Sequence, residues 1–154
     1  MVKGTEDYTV DLSSDDGMLD YSLESAKPGS QYLISRLTIV EMESVFALKA
    51  RAGEIDQKAV LIARRRLEAD LGHSRLLVAA VNDDNFRGAR QMLFKHGAVE
   101  ALRTLDALQL SVALGLKRAE FVTVFVAADQ KLCRVATLEG FPVTNPEQPA
   151  SIVI

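Results

Sequence analysis

The sequence predicts an α/β fold in which a parallel sheet is covered by helices. Two observations carry the prediction. Short apolar runs alternate with longer segments whose apolar residues recur at helical spacing. That alternation of strand and helix is the pattern of parallel sheets with helices on their faces. The length of 154 residues suits one domain with a sizeable core. At 48% hydrophobic and 25% charged residues, the composition is that of an ordinary globular protein.

Residues 1–30 stand apart. They hold seven acids against two bases, a net −5, so the other residues carry +2 of the total −3. Tyr8-Thr9-Val10 is a candidate short strand with Asp11 at its end. Residues 15–26 are a candidate short helix capped by Ser13 or Ser14, and Pro28-Gly29 makes a turn.

From Gln31 the pattern sharpens. Gln31 to Ser35 reads as a strand. A helix over about 38–52 follows, with Ile39, Met42, Phe46 and Ala50 on one face and Gly53 as its stop. Glu41 falls on the flank of that face, while Glu43 points elsewhere. A second helix over about 56–71 has Ala59, Ile62, Ala63, Leu67 and Leu71 as its core stripe and Gly72 as its stop. Arg64-Arg65-Arg66 on that helix reads as a solvated charged face, or as a contact for phosphates or an acidic partner.

Arg75 to Val81 predicts an interior strand. Asn82-Asp83-Asp84 caps a helix running to about Lys95, with His96-Gly97 as its end. The run from Leu102 to Leu114 is a helix apolar almost all round, carried by Leu105, Leu108, Val112 and Leu116. Asp106 sits in its first turn. There it favours the positive end of the helix dipole or binds a cation beside other carboxylates. Phe121 to Val126 predicts a strand buried on both faces, and Asp129 stands between it and a helix over about 130–139. Gly140 to Pro146 supplies a last short strand and a turn.

Several chemistries are excluded. Two separated histidines, His73 and His96, and the single Cys133 give no zinc-ligand spacing and no internal disulfide. No Gly-rich phosphate loop occurs, no apolar run reaches membrane-spanning length, and no signal peptide is visible at Met1. The lone cysteine suits a reducing cytosol, so a cytoplasmic location is expected. What remains is acidic. Glu41, Asp106 and Asp129 fall near element starts, and a parallel sheet would let Glu41 and Asp129 converge on one edge. Converging carboxylates repel unless a divalent cation lies among them. Mg²⁺ or Mn²⁺ suits such oxygen ligands and would activate water against a phosphodiester.

Leu33-Ile34-Ser35-Arg36-Leu37-Thr38-Ile39-Val40-Glu41 resembles the second-acid motif of PIN domains. Arg103-Thr104-Leu105-Asp106-Ala107-Leu108-Gln109-Leu110 resembles the third. Val124 to Leu132, with Asp129, resembles the fourth, and Gly140 to Pro146 is similar to the family's usual ending. The resemblance covers about residues 31–147. It implies a single PIN-like domain over residues 1–154, built as a three-layer α/β/α sandwich with a mostly parallel central sheet of flavodoxin-like type. It further implies a metal-dependent endoribonuclease of the VapC toxin type. The expected cofactor is Mg²⁺ or Mn²⁺, held by Glu41, Asp106 and Asp129. The expected partners are an RNA substrate, a small VapB-type antitoxin and a second copy in a homodimer.

Two departures open an alternative. The family's first strand, which ends in the first catalytic aspartate, has no clear equivalent. Val10-Asp11-Leu12-Ser13-Ser14 is the only candidate, or that strand lies upstream of Met1. Ala127 also stands where the family often has a hydroxyl residue. The alternative is a catalytically inactive PIN-like module that binds a partner or RNA.

Overall fold

The computed structural model describes residues 32–147. The elements run β1 (Tyr32–Ser35), α1 (Arg36–Ala52), α2 (Gln57–Gly72), β2 (Leu76–Ala79), α3 (Asp83–Glu100), α4 (Thr104–Arg118), β3 (Phe125–Val126), α5 (Gln130–Leu138) and β4 (Val143–Thr144).

The expected three-layer α/β/α sandwich is not what these residues build. Helix takes up 65% of them, and the strands form two separate two-stranded parallel sheets, β1–β2 and β3–β4. The reason lies in how little of each apolar run enters a ladder. Of the run from Phe121 to Val126, only Phe125 and Val126 pair, opposite Val143 and Thr144, and Phe121 is exposed. β1 and β2 share four residue pairs, Tyr32 with Leu76 through Ser35 with Ala79. Strands of two and four residues make no continuous layer, so helix-on-helix packing supplies most of the core. Tyr8-Thr9-Val10 and Asp11 lie outside the described residues.

Each helix has a local cause. The Ser35 hydroxyl accepts the Leu37 N–H to start α1, and Gly53 ends it in the left-handed conformation, at φ 76°. Asp56 caps α2 by accepting the Ala59 N–H. Asn82 and Asn85 exchange side-chain and backbone hydrogen bonds in a reciprocal box at the start of α3. α3 does not stop at His96-Gly97 as its sequence suggests. It runs on to Glu100, because His96 turns inward and is buried.

The core has two parts. Met42 and Phe46 of α1 pack with Val60, Ala63 and Leu67 of α2 and Leu76 of β2. Ala107, Leu108 and Leu110 of α4 pack with Ala89 and Met92 of α3, Val135 and Ala136 of α5, and Phe141. α3 and α4 approach closely at Gly88. A Cβ there would lie 2.3 Å from the Ser111 hydroxyl, so only glycine fits without displacing that side chain. Leu105, expected in the apolar stripe of α4, is 47% exposed, while Ala107 and Leu110 are fully buried. Leu108 and Val112 of the expected stripe are buried, so the α4 core face keeps those two and adds Ala107, Leu110 and Ser111 in place of Leu105. Ile62 of α2 is likewise exposed, and Val60 takes its place inside. Among the described residues no helix is long and apolar enough to cross a membrane.

Candidate active site

The three acids singled out in the sequence come from three helix entries. Glu41 lies in the second turn of α1, Asp106 in the first turn of α4, and Asp129 is the N-cap of α5. Glu41 and Asp106 are both half-buried.

Asp129 is the most firmly placed. Its Oδ1 accepts the Lys131 and Leu132 backbone N–H groups at 2.8 and 2.9 Å, the ordinary work of an N-cap aspartate. The chain leading into it is tied on three sides. The Ala127 N–H donates to the Thr144 carbonyl at 3.2 Å. The Cys133 thiol donates to the Ala127 carbonyl at 3.0 Å, and the Asn145 side-chain amide donates to the Ala128 carbonyl at 3.1 Å. The β3–β4 pair and the turn after it thus fix the backbone immediately before Asp129. Ala127 offers no hydroxyl beside it.

Asp106 stands at the electrostatic middle. Burial holds its carboxyl above the usual aspartate value, and the charge of Asp129 pushes it higher. The Arg103 backbone N–H and guanidinium act in the opposite direction. Arg103 is the N-cap of α4 and makes no side-chain cap. Asp106 at the third helical position is therefore an acid of the capping kind, facing the amide of its own N-cap. The first reading offered by the sequence, an acid at the positive end of its helix, is met, and the charge of Asp129 reaches it as well.

Glu41 is also raised, first by burial and last by the charge of Asp106, and a hydrogen bond from Gln109 opposes the rise. The Gln109 side-chain amide donates to Glu41 Oε2. The Thr38 hydroxyl donates in turn to Gln109 Oε1 at 3.0 Å. Thr38 and Glu41 belong to α1 and Gln109 to α4, so this chain of bonds spans the junction between the two parts of the core.

The donor set is one of carboxylate oxygens, with no imidazole or thiolate aimed at it, and each acid feels the next. That chemistry fits a hard divalent cation of the Mg²⁺ or Mn²⁺ kind, which binds through one or two carboxylates and retains waters. It is not a closed cage. No three His, Cys, Asp or Glu side chains among the described residues are grouped closely enough to hold an ion together. Cys133 is no ligand candidate, because burial and the charge of Asp129 both keep its thiol protonated.

Two features escaped the sequence reading. One is Gln109, whose partners lie 71 and 68 residues away. The other is His96, taken from the sequence as a helix-end residue. His96 Nε2 lies 2.7 Å from Glu139 Oε1, and the Lys95 ammonium donates to the same oxygen at 2.8 Å. That acid is held below the usual glutamate value by Lys95 first and His96 second. The basic run on α2 divides. Arg64 is bonded through Nε to Glu43 at 2.8 Å, whereas Arg65 and Arg66 are exposed.

A groove of about 760 Å³ lies between α3 and α4, lined by Asn82, Asn85, Gly88 and Ser111 among others. None of the three acids lines it. No family model matches the chain, and comparison finds no similar curated protein and no similar solved structure.

Proposed function

We propose that the chain is a metal-dependent endoribonuclease of the PIN type, acting as the toxin of a toxin–antitoxin pair. Glu41, Asp106 and Asp129 are the residues that would hold Mg²⁺ or Mn²⁺. The observation that carries the proposal is the placement of two half-buried carboxylates, Glu41 on α1 and Asp106 on α4, with Gln109 of α4 bonded to Glu41 and Asp129 near enough for its charge to reach Asp106. Burial raises both carboxyls first, the charge of Asp129 adds to the rise at Asp106, and that of Asp106 adds to the rise at Glu41. Such an arrangement works against stability in the absence of a cation, as sites evolved for a ligand commonly do.

Each residue has a distinct part. Asp129, immobilised by its cap bonds, is the fixed ligand. Asp106 contributes the charge between the other two. Glu41, presented from α1 through Gln109, would offer a further oxygen. A divalent cation held there would supply Lewis acidity toward water and the scissile phosphodiester. Arg103, exposed beside Asp106, is placed to receive an RNA phosphate. The homodimer that the motif resemblance implies is supported by Phe94 and Phe86, both exposed on α3. A Phe94→Glu variant that leaves the sedimentation profile unchanged would remove that support. The small antitoxin partner rests on the resemblance alone.

The decisive experiment is RNA cleavage with Mg²⁺ or Mn²⁺, set beside Asp106→Asn. Cleavage by the wild type, lost on chelation and in Asp106→Asn, supports the nuclease. Equal cleavage by both proteins removes Asp106 from the site. The alternative is a catalytically inactive PIN-like module that binds RNA or a partner. Ala127 and the absence of a three-ligand group among the described residues favour it. RNA binding without cleavage, insensitive to added Mn²⁺, is its signature.

A further inference from the structure

We infer that Gln109 is a positioning residue for Glu41, set in its orientation by the Thr38 hydroxyl. The inference rests on the metal-site reading above and deepens it.

An amide side chain has two ends of nearly equal shape, and its neighbours decide which way it faces. An ionised carboxylate can only accept hydrogen bonds, so the end facing Glu41 must be the nitrogen. The oxygen then faces Thr38, whose hydroxyl must donate its single proton to it. The bonds found are of this kind: Thr38 Oγ1 to Gln109 Oε1 at 3.0 Å, and Gln109 Nε2 to Glu41 Oε2. Every donor and acceptor in the row has one permitted role, so the row has one orientation.

Its placement is more telling than its existence. Gln109 follows Asp106 by three residues and shares its side of α4. The same helix face therefore carries one acid and the group that holds the other. Left alone, Glu41 has three rotatable side-chain bonds and a like charge nearby, and it would swing toward water. Gln109 keeps it near a neighbour that repels it. A contact made for packing alone would join α1 to α4 through apolar groups, as Met42 and Phe46 join α1 to α2. This contact ends on a carboxylate oxygen. It leaves Glu41 Oε1 without a hydrogen-bond partner among the described residues. A glutamate held by one oxygen and open at the other is prepared to ligate through the second.

The test measures Mn²⁺ affinity of the full chain by titration, without RNA, followed by steady-state cleavage. Gln109→Leu removes the donor. Thr38→Val removes the hydroxyl at nearly constant shape, and Thr38→Ser keeps the hydroxyl while changing the shape. Loss of a group that orients a ligand weakens metal binding by about 10- to 100-fold. Gln109→Leu is expected in that range, Thr38→Val short of it, and Thr38→Ser close to wild type. In cleavage at saturating metal, Gln109→Leu lowers kcat with KM for RNA unchanged. Wild-type affinity in both Gln109→Leu and Thr38→Val overturns the positioning role while the metal site stands. Thr38→Ser as weak as Thr38→Val overturns the role of the hydroxyl. A wild-type chain that binds no Mn²⁺ overturns the metal-site reading and this inference with it. Should Gln109→Leu fail to fold, the Thr38 pair decides alone.

Discussion

Asp106 and Glu139 are acids of the same charge, each partly buried and each next to a helix terminus, yet their surroundings pull them in opposite directions. Glu139 sits among Lys95 and His96, which hold its carboxyl below the usual value. Asp106 is held above it, first by burial and then by the charge of Asp129. At Glu139 the protein satisfies a charge, and the result is an ordinary structural clamp between α3 and α5. Around Asp106 the acids are hydrogen-bonded but have no salt-bridge partner of the Lys95 kind among the described residues, and their like charges add to one another. Ion-paired acids are common in folded chains, so Glu139 needs no function to explain it. Mutually repelling acids do need an explanation.

The comparison is sharpest where activity is measured. Asp106→Asn is expected to reduce Mg²⁺-dependent RNA cleavage by about a hundredfold or more, the scale for losing one electrostatic group at a reacting centre. Glu139→Gln is expected to leave cleavage at the wild-type rate. Stability should respond in the reverse order. Glu139→Gln leaves the buried His96 facing an amide in place of a carboxylate. It should destabilise the chain by about 1–3 kcal/mol in urea unfolding at neutral pH. Asp106→Asn in metal-free buffer should instead raise the melting temperature, because it removes a repelled charge. A fall would show that its capping role outweighs the repulsion.

The pH dependence separates the two acids again. A carboxyl raised on folding contributes stability below its unfolded pKa, and that contribution is lost as pH rises through the folded value. Asp106 and Glu41 should therefore lower metal-free stability as pH climbs through and above the ordinary carboxylate range. Glu139, lowered on folding, contributes above its unfolded pKa and loses that contribution as pH falls through its folded value. Melting curves from acid to neutral pH should show a shallower first slope in Asp106→Asn, where Glu41 remains, and lose the second in Glu139→Gln. The smallest effect is expected from Arg103→Ala. It removes a cation beside Asp106 and should weaken RNA binding modestly, more so at low salt.

Sequence pattern locates the acids better than it locates the sheet. Helical periodicity puts Glu41 at the flank of an apolar face, and it is half-buried. Asp129 follows an apolar run and precedes a helix, and it caps that helix. Those are local relations, set within a few residues. A strand is different, because it needs a partner elsewhere in the chain. The run from Phe121 to Val126 has the composition of a long strand, yet only two residues of it find partners. The PIN resemblance shares that limit, since its motifs mark acids and helix starts while its sandwich requires a continuous sheet. Gln109 and Glu139 were missed for the same reason. Nothing in the residues around Gln109 points to Thr38 or Glu41, and nothing around Glu139 points to His96. Leu105 marks a finer failure. An almost uniformly apolar helix has no clear periodic maximum, so its inward face is decided by neighbours such as Gly88 and Ser111.

The separation of the strands into two pairs has a consequence for how the molecule opens. Tyr32 pairs with Leu76 and Phe125 with Val143, so each ladder closes within its own stretch of chain. Among the described residues no strand pairing ties one stretch to the other. Backbone amide exchange should therefore resolve two cooperative units of unequal lifetime. The amides of Phe125 and Ala127 belong to the shorter ladder and should exchange first, which makes the support beneath Asp129 the first part of the molecule's acidic corner to loosen.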